Sequence, residues 1–428
     1  MPRFSASKIK RTVFPNGLTV ITEPMAHVNS VAVSIWVRTG ARHEAPETNG
    51  ISHFIEHMLF KGTRKRTARQ IAVESDRLGG NVDAFTMMES TCYQIQTLAE
   101  HLPAAFDLVS DLVLHPKFDP AEMERERTVI LEEMKMVEDT PDELAYELFL
   151  EEFFPDHPLG RPIEGTPRSV RGLQAETLRR HHGKRYRSGN LVISIAGKFE
   201  VQNVLELCRT TFDRQPQIKQ NDKVTAPVGA PTFLSNIDRD FEQVQLFLGV
   251  PCPPLSSEDR FPTNVLSMML GGGLSSRLFQ KIREEEGLAY NVYSDVLSYR
   301  DAGCFTIYSA VSPKNVKRTV NHITREIATF CRGEFTDEEL SLAKMQLLTN
   351  LYLGMESSAS RANHNGQQEV LFNQLFSAKD LSRKIEKVER PDILRVAADI
   401  FAGRSLSTLA LGRLGRHAVK PEWVKIPF

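Results

Sequence analysis

His53, Glu56 and His57 form the pattern H-x-x-E-H. On a helix, residues four apart project from one face about a turn from each other, so the two imidazoles can converge on one ion. That suits a tetrahedral zinc, bound by neutral imidazole nitrogens at about 2.0–2.1 Å. Glu56 lies beside His57 on the same side, where its carboxylate can reach a metal-bound water and take its proton. This is the chemistry of the inverted counterpart of H-E-x-x-H. Ile51, Phe54, Ile55, Met58 and Leu59 supply an apolar face, leaving His53, Glu56, His57 and Phe60 on the other. Two histidines and a carboxylate on a non-core face are costly as mere packing.

A site with one position open to water needs a third protein ligand. The segment 121–139, AEMERERTVILEEMKMVED, reads as a helix crowded with carboxylates. Glu126 and Glu133 are seven apart, two turns along one face, while Glu124 and Glu132 point elsewhere. Spacing alone leaves all four open as the ligand, and a charged, solvated face is the plainer alternative.

The elements that position these residues follow from periodicity and turn signals. Pro15-Asn16-Gly17 is a hairpin turn between strands at 10–14 and 18–22. A strand at 30–39 precedes helices at 49–60 and 67–79, the latter stopped by Gly79-Gly80, and strands follow within 82–97. Helices at 102–114, 119–138 and 141–153, a strand at 190–196 and a helix at 200–213 complete the first half. The polar, Pro-containing stretch 215–231 reads as a linker, giving domains at 1–214 and 232–428. The second half repeats the order: strands to about 250, a helix ending at Gly271-Gly272-Gly273, a helix through Arg283, two strands, then helices. Phe118-Asp119-Pro120-Ala121-Glu122-Met123 and Phe335-Thr336-Asp337-Glu338-Glu339-Leu340 each open a long helix, which suggests a duplicated α+β domain.

Only one half carries the chemistry. No histidine occurs between His182 and His322, and fifteen residues on from Phe118 stands Glu133, whereas fifteen on from Phe335 stands Asn350. One metal site per chain follows. Gly271-Gly272-Gly273 lacks the Gly-Lys-Ser/Thr of a phosphate loop and reads as a helix stop. Arg64-Lys65-Arg66 reads as a solvated face, and the adjacent His181 and His182 diverge by about 100° on a helix and do not share a metal.

Composition sets the outer bounds. The chain has 428 residues, 53 basic against 54 acidic, a net charge of −1, which argues against a nucleic-acid binder or a polybasic membrane protein. At 41% hydrophobic and 25% charged it reads as globular and soluble, with no apolar run near the roughly 18 residues of a membrane helix. Five widely spaced cysteines without CxxC read as reduced core thiols. The basic start (Arg3, Lys8, Lys10, Arg11) reads as the first hairpin strand rather than a transit peptide, favouring a bacterial cytoplasmic protein over one of the mitochondrial matrix.

These residues resemble the pitrilysin family of zinc peptidases. The likeness is strongest to its half-length branch, which includes bacterial processing-type proteases and the mitochondrial processing peptidase β subunit. It rests on His53-x-x-Glu56-His57 with Glu133, the segments 50–63, 81–93 and 126–133, His157-Pro158-Leu159-Gly160-Arg161-Pro162, and Gly287-Leu288-Ala289-Tyr290. It implies an α+β fold of two similar domains, each a mostly antiparallel sheet packed with helices. By the same resemblance His53, His57 and Glu133 bind one zinc per chain, Glu56 is the general base and Glu126 a supporting carboxylate. Asp83, Ala84, Phe85 and Thr86 resemble an edge strand to which extended peptide substrates add. Arg283 and Tyr290 match a second-domain pair that steadies the substrate and the oxyanion. Glu143 and Glu147 occupy positions that in relatives form a pocket for basic side chains. The resemblance further implies a homodimer, or a heterodimer with an inactive homologue, whose chamber admits short or unfolded peptides. A non-catalytic scaffold or partner subunit, and a zinc hydrolase acting on something other than peptides, are the rival readings.

Overall fold

The computed structural model describes residues 9–213, 215, 224–229 and 231–427. The chain divides into two compact units. The first is made of the described residues up to Met134 together with Arg161–Val224 and Leu353–Ser377. The second is made of Lys135–Gly160, the chain from Thr225 to Tyr352, and the chain from Ala378 onward.

The first unit is built on a six-stranded sheet. Strands β1 (Lys10–Val13) and β2 (Thr19–Pro24) form the expected hairpin. Its turn closes through Gly17 N–H on the Phe14 carbonyl at 2.9 Å, with Gly17 at φ +86°. Strands β3 (Ser30–Val37), β4 (Asn81–Thr86), β5 (Thr91–Leu98) and β6 (Leu191–Gly197) complete the order β1-β2-β6-β3-β5-β4. Only the β2–β6 pair is parallel, so β4 ends the sheet, paired to β5 alone. Helices α1 (Ile51–Leu59) and α2 (Ala68–Arg77) link β3 to β4. The Thr67–Gln70 capping box opens α2 as its sequence implies. Between β5 and β6 come α3 (Leu102–Leu114), α4 (Pro120–Asp139), α5 (Pro141–Phe153), α6 (Pro167–Gly172) and α7 (Ala175–Arg185), and α8 (Val201–Phe212) follows β6.

The second unit repeats this topology. Its strands β7 (Leu234–Asp238), β8 (Val244–Pro251), β9 (Ala289–Ser298), β10 (Gly303–Val311) and β11 (Ser407–Gly412) run in the order β7-β11-β8-β10-β9. That matches β2-β6-β3-β5-β4 strand for strand, including the single parallel pair, here β7–β11. Helix α9 (Arg260–Gly271) and a π-helical segment Phe279–Glu285 stand where α1 and α2 stand in the first unit. Five helices lead from β10 to β11: α10 (Val316–Cys331), α11 (Asp337–Leu353), α12 (Ser358–Phe372), α13 (Ala378–Glu386) and α14 (Arg390–Phe401). Phe118 and Phe335, which open the two long helices, are both buried. The expected duplication is therefore a duplication of topology.

The expected single cut at 215–231 does not describe the compact units, and most of that stretch lies outside the described residues. Two helices break it. Helix α5, from the first half of the sequence, belongs to the second unit, where Phe149 and Tyr146 pack on Phe247 of β8 with ring centroids 5.8 and 5.9 Å apart. Helix α12, from the second half, belongs to the first unit. There Arg11 and Arg38 close on the buried Glu369 carboxylate at 2.8 and 2.9 Å, and Asn365 donates to Glu23 at 2.7 Å. The two helices hold corresponding places in the repeat, so the exchange is reciprocal. Neither helix pattern says which sheet will bury its apolar stripe.

Residues 154–190, whose pattern predicts no element, form α6 and α7, and the second unit ends in the buried strand β11 where the pattern predicts helices. The helix expected through Arg283 is π-helical. Gly271 does end α9, and all five cysteines are free, four of them buried. Among the described residues no helix is long and apolar enough to cross a membrane.

The seat of α12 on β3 is set by a missing side chain. A Cβ on Gly366 would lie 2.2 Å from Trp36 Nε1 and 2.4 Å from its Cδ1. The indole is buried, donates to Ser34 Oγ at 3.1 Å and meets the Phe85 ring edge-on at 5.6 Å. Gly366→Ala is therefore expected to destabilise the protein by about 1–3 kcal/mol through overpacking, measured by denaturant unfolding. A gain in stability, as helix propensity alone would give, contradicts this packing.

Candidate metal centre

Helix α1 is fixed before its polar face does anything. Phe54, Ile55, Met58 and Leu59 are buried in the first unit's core, each such side chain contributing about 1.5–3 kcal/mol. At its N-terminus the buried Glu44 carboxylate accepts from the amides of Gly50 (2.7 Å) and Ser52 (2.8 Å) and from Asn49 Nδ2 (3.2 Å). It thereby satisfies helix donors that would otherwise be buried without partners. Burial holds the Glu44 carboxyl above its usual range, partly offset by these bonds. Gly50 takes φ +91°, and a Cβ there would sit 2.3 Å from the Glu164 carbonyl. Arg161 donates to the Glu44 carbonyl at 3.1 Å, and Asn49 Nδ2 reaches the Pro162 carbonyl at 3.1 Å. The Arg161-Pro162 part of the sequence motif thus clamps the loop that starts α1.

The polar face then meets α4. His53 and His57 lie with ring centroids 4.6 Å apart, and His57 Nε2 is 3.5 Å from Glu133 Oε2. One donor atom from each of His53, His57 and Glu133 lies within 4.8 Å of the others. Two ligands of a tetrahedral zinc stand about 3.3–3.5 Å apart, so the spacing is that of a site needing little adjustment. His53 Nδ1 is buried without a hydrogen-bond partner, and burial beside His57 pushes the His53 pKa down to about 4. The ring is therefore neutral at neutral pH, the form that binds a metal. Two imidazoles and a carboxylate are a donor set that fits zinc. Among the described residues this is the one group of metal-binding geometry.

The carboxylates of α4 separate by environment. Glu124 is exposed and pairs with Arg127 at 2.9 Å, and Glu132 is exposed. Glu126 is 5% exposed; its Oε2 stands 3.2 Å from His57 Nδ1, and its Oε1 2.7 Å from Lys61 Nζ. Glu133 is half-buried beside His57 Nε2. Glu56 Oε2 accepts from Thr86 Oγ1 at 2.5 Å. Burial raises the Glu56 carboxyl, with the Thr86 bond and His57 opposing and Asp83 and Glu133 adding to the rise. Thr86 is the last residue of β4, so Asp83, Ala84, Phe85 and Thr86 form the edge of the sheet and end beside Glu56.

The remaining expected residues lie in the second unit. Arg283, on the π-helical segment, stacks its guanidinium 4.5 Å from the Tyr290 ring centroid and 4.7 Å from that of Phe279. Tyr290, at the start of the edge strand β9, is 71% exposed, which excludes a core role. Glu143 and Glu147 sit on α5, so their placement in the catalytic domain is corrected: α5 buries its aromatic side in the second unit. Glu143 is exposed and Glu147 half-buried. The adjacent histidines are structural: His182 Nε2 donates to the Val113 carbonyl at 2.8 Å, and His181 is half-buried. Sequence reasoning missed Glu44, Lys61 and the Thr86–Glu56 bond. Of these only Glu44 left a signal, a carboxylate shortly before a helix start.

Comparison with known proteins places the chain in a family. Residues 19–167 match the family model described as insulinase (peptidase family M16), and residues 172–347 that of the peptidase M16 inactive domain. The chain belongs to peptidase family M16, the pitrilysin-type metalloproteases. It is 36% identical over 415 residues to a Streptomyces coelicolor protein described as an uncharacterized zinc protease, covering 95% of this chain and 90% of that one. It is also 36% identical over 393 residues to a Bacillus subtilis protein described as the uncharacterized zinc protease YmxG, covering 92% and 96%. In fold it is similar to a protease from Helicobacter pylori, with TM-score 0.87 at 23% identity, covering 95% of this chain and all of that one. A Pseudomonas fluorescens peptidase M16 inactive-domain structure is similar with TM-score 0.88 at 18% identity, covering 95% and 98%.

Proposed function

We propose that this chain is a zinc-dependent endopeptidase acting on short or unfolded extended peptides, with Glu56 as its general base. The observation that carries the reading is one juxtaposition. A three-donor metal cluster, a half-buried carboxylate of raised pKa and the free end of an edge strand meet on one side of α1. An extended peptide adding to β4 by main-chain hydrogen bonds would be delivered to Thr86, beside Glu56. Such recognition reads backbone and suits unfolded substrates.

His53, His57 and Glu133 would hold the zinc, one per chain. Bound zinc supplies Lewis acidity, polarising the scissile carbonyl and making water more acidic. Glu56 has one oxygen held by Thr86, which leaves Oε1 to take the proton of the attacking water and hand it to the leaving amine. A carboxyl raised by burial is the better matched to both halves of that transfer. Arg283 and Tyr290 offer a guanidinium and a phenol to the substrate carbonyl region, by the family resemblance. Loss of a general acid/base costs about 10²- to 10⁴-fold in rate, so Glu56→Gln should keep one zinc per chain and lose turnover on that scale. The check is cleavage of a quenched extended-peptide library with and without chelator. Near-normal activity of the variant contradicts the assignment, and bound zinc without cleavage by the natural chain points to a scaffold role.

The reading extends to a basic-side-chain pocket at Glu143 and Glu147, four apart on α5. Replacing both by Gln should lower cleavage beside Arg far more than beside Leu; equal losses in the same library would sink the pocket.

In a dimeric chamber the Arg283/Tyr290 pair would serve the metal centre of a second copy. Mixing Glu56→Gln chains with Tyr290→Phe chains should then restore part of the activity that each lacks alone. Failure of any mixture to exceed the sum of its components counts against this arrangement.

A further inference from the structure

We propose that Lys61 is a positioning residue of the metal centre, acting through Glu126 on His57. The inference rests on the reading that His53, His57 and Glu133 hold zinc. Glu126 is a carboxylate almost wholly removed from water, which is costly unless both oxygens find partners. Its two oxygens are divided: Oε2 faces His57 Nδ1 at 3.2 Å and Oε1 faces Lys61 Nζ at 2.7 Å. Lys61 stands one turn beyond His57, just past the end of α1. Its amide N–H is tied to the Met58 carbonyl at 3.1 Å. The ammonium is thus rooted at the end of the helix that carries the two histidines, where a cation is favoured by the helix dipole.

The chain of contacts has a directional consequence. A carboxylate fixed on Nδ1 takes the imidazole N–H there and leaves the Nε2 lone pair facing Glu133 at 3.5 Å. Outer partners of this kind hold ligand tautomer and ring orientation. Without the ammonium, Glu126 keeps one partner of two, and its carboxylate is free to turn off the ring. Lys61 therefore works by holding the group that holds His57. A bystander cation would act in the opposite sense, because removing a positive charge near a divalent ion strengthens its binding.

That opposition of signs supplies the test. Zinc dissociation constants are measured on the full chain by competition with a chromophoric chelator, for the natural protein, Lys61→Met, Lys61→Arg, Glu126→Gln and the Lys61→Met/Glu126→Gln double variant. Loss of an outer partner weakens metal binding about 10- to 100-fold, and Lys61→Met is expected near the lower end of that range. Lys61→Arg, which keeps the charge, should retain most of the affinity. In the Glu126→Gln background Lys61→Met should have little further effect. Unchanged or tighter zinc binding by Lys61→Met overturns the proposal, and so does an undiminished loss in the Glu126→Gln background. If Lys61→Met does not fold, Lys61→Gln carries the same expectation. A natural chain that binds no zinc overturns the reading of the site itself.

Discussion

The structure depends on α1 being immovable while one of its faces stays polar. A helix whose outward side carries two imidazoles and a carboxylate gains nothing from that side by the hydrophobic effect, so its position must be set elsewhere. It is set by the apolar side, buried with Phe54, Ile55, Met58 and Leu59. It is also set by the N-terminus, where the Glu44 carboxylate gathers the Gly50 and Ser52 amides. With the helix held from behind and from its start, the ligand face can meet α4 at separations of a few ångströms, and the lone buried nitrogen of His53 is tolerated. A metal centre needs this kind of pre-organisation, because its ligands must be held within about 0.5 Å of the productive geometry.

The same constraint organises the neighbours of the site. The edge strand β4 ends against Glu56, so under the proposed function substrate main chain and general base would share a single anchor at Thr86. Phe85 of that strand packs on Trp36, and Trp36 is covered by Gly366 of α12. A helix from the far end of the sequence thereby supports the strand that would receive a peptide. The second unit repeats the strand order without histidines on α9, leaving that face free of metal chemistry. Duplication has left one unit with the candidate metal cluster and the other with an exposed tyrosine and its stacked arginine.

What could be read from the residues alone was what local physics encodes. The hairpin turn at Pro15-Asn16-Gly17, the apolar stripe of α1 and the capping box of α2 each lie within a few residues of their cause. The metal pair was legible for the same reason, being one turn of helix. The third ligand was not separable by spacing: four carboxylates on α4 were open until burial turned Glu126 inward, proximity to His57 Nε2 picked out Glu133, and Glu124 turned outward to Arg127. The exchange of α5 and α12 was illegible, because an amphipathic stripe specifies burial but not the partner sheet. Lys61 was illegible too, since a lysine after a helix reads as a solvated charge until its carboxylate is seen.

The central claim is that one zinc, Glu56 and the β4 edge act on the same peptide. The most direct measurement is diffraction at the zinc absorption edge from crystals of the Glu56→Gln protein bound to an uncleaved extended peptide. The account predicts a single anomalous peak per chain between His53, His57 and Glu133, with the peptide paired as a strand along Asn81–Thr86 and a carbonyl beside the metal. A peak elsewhere, or a peptide bound away from that edge, would contradict it.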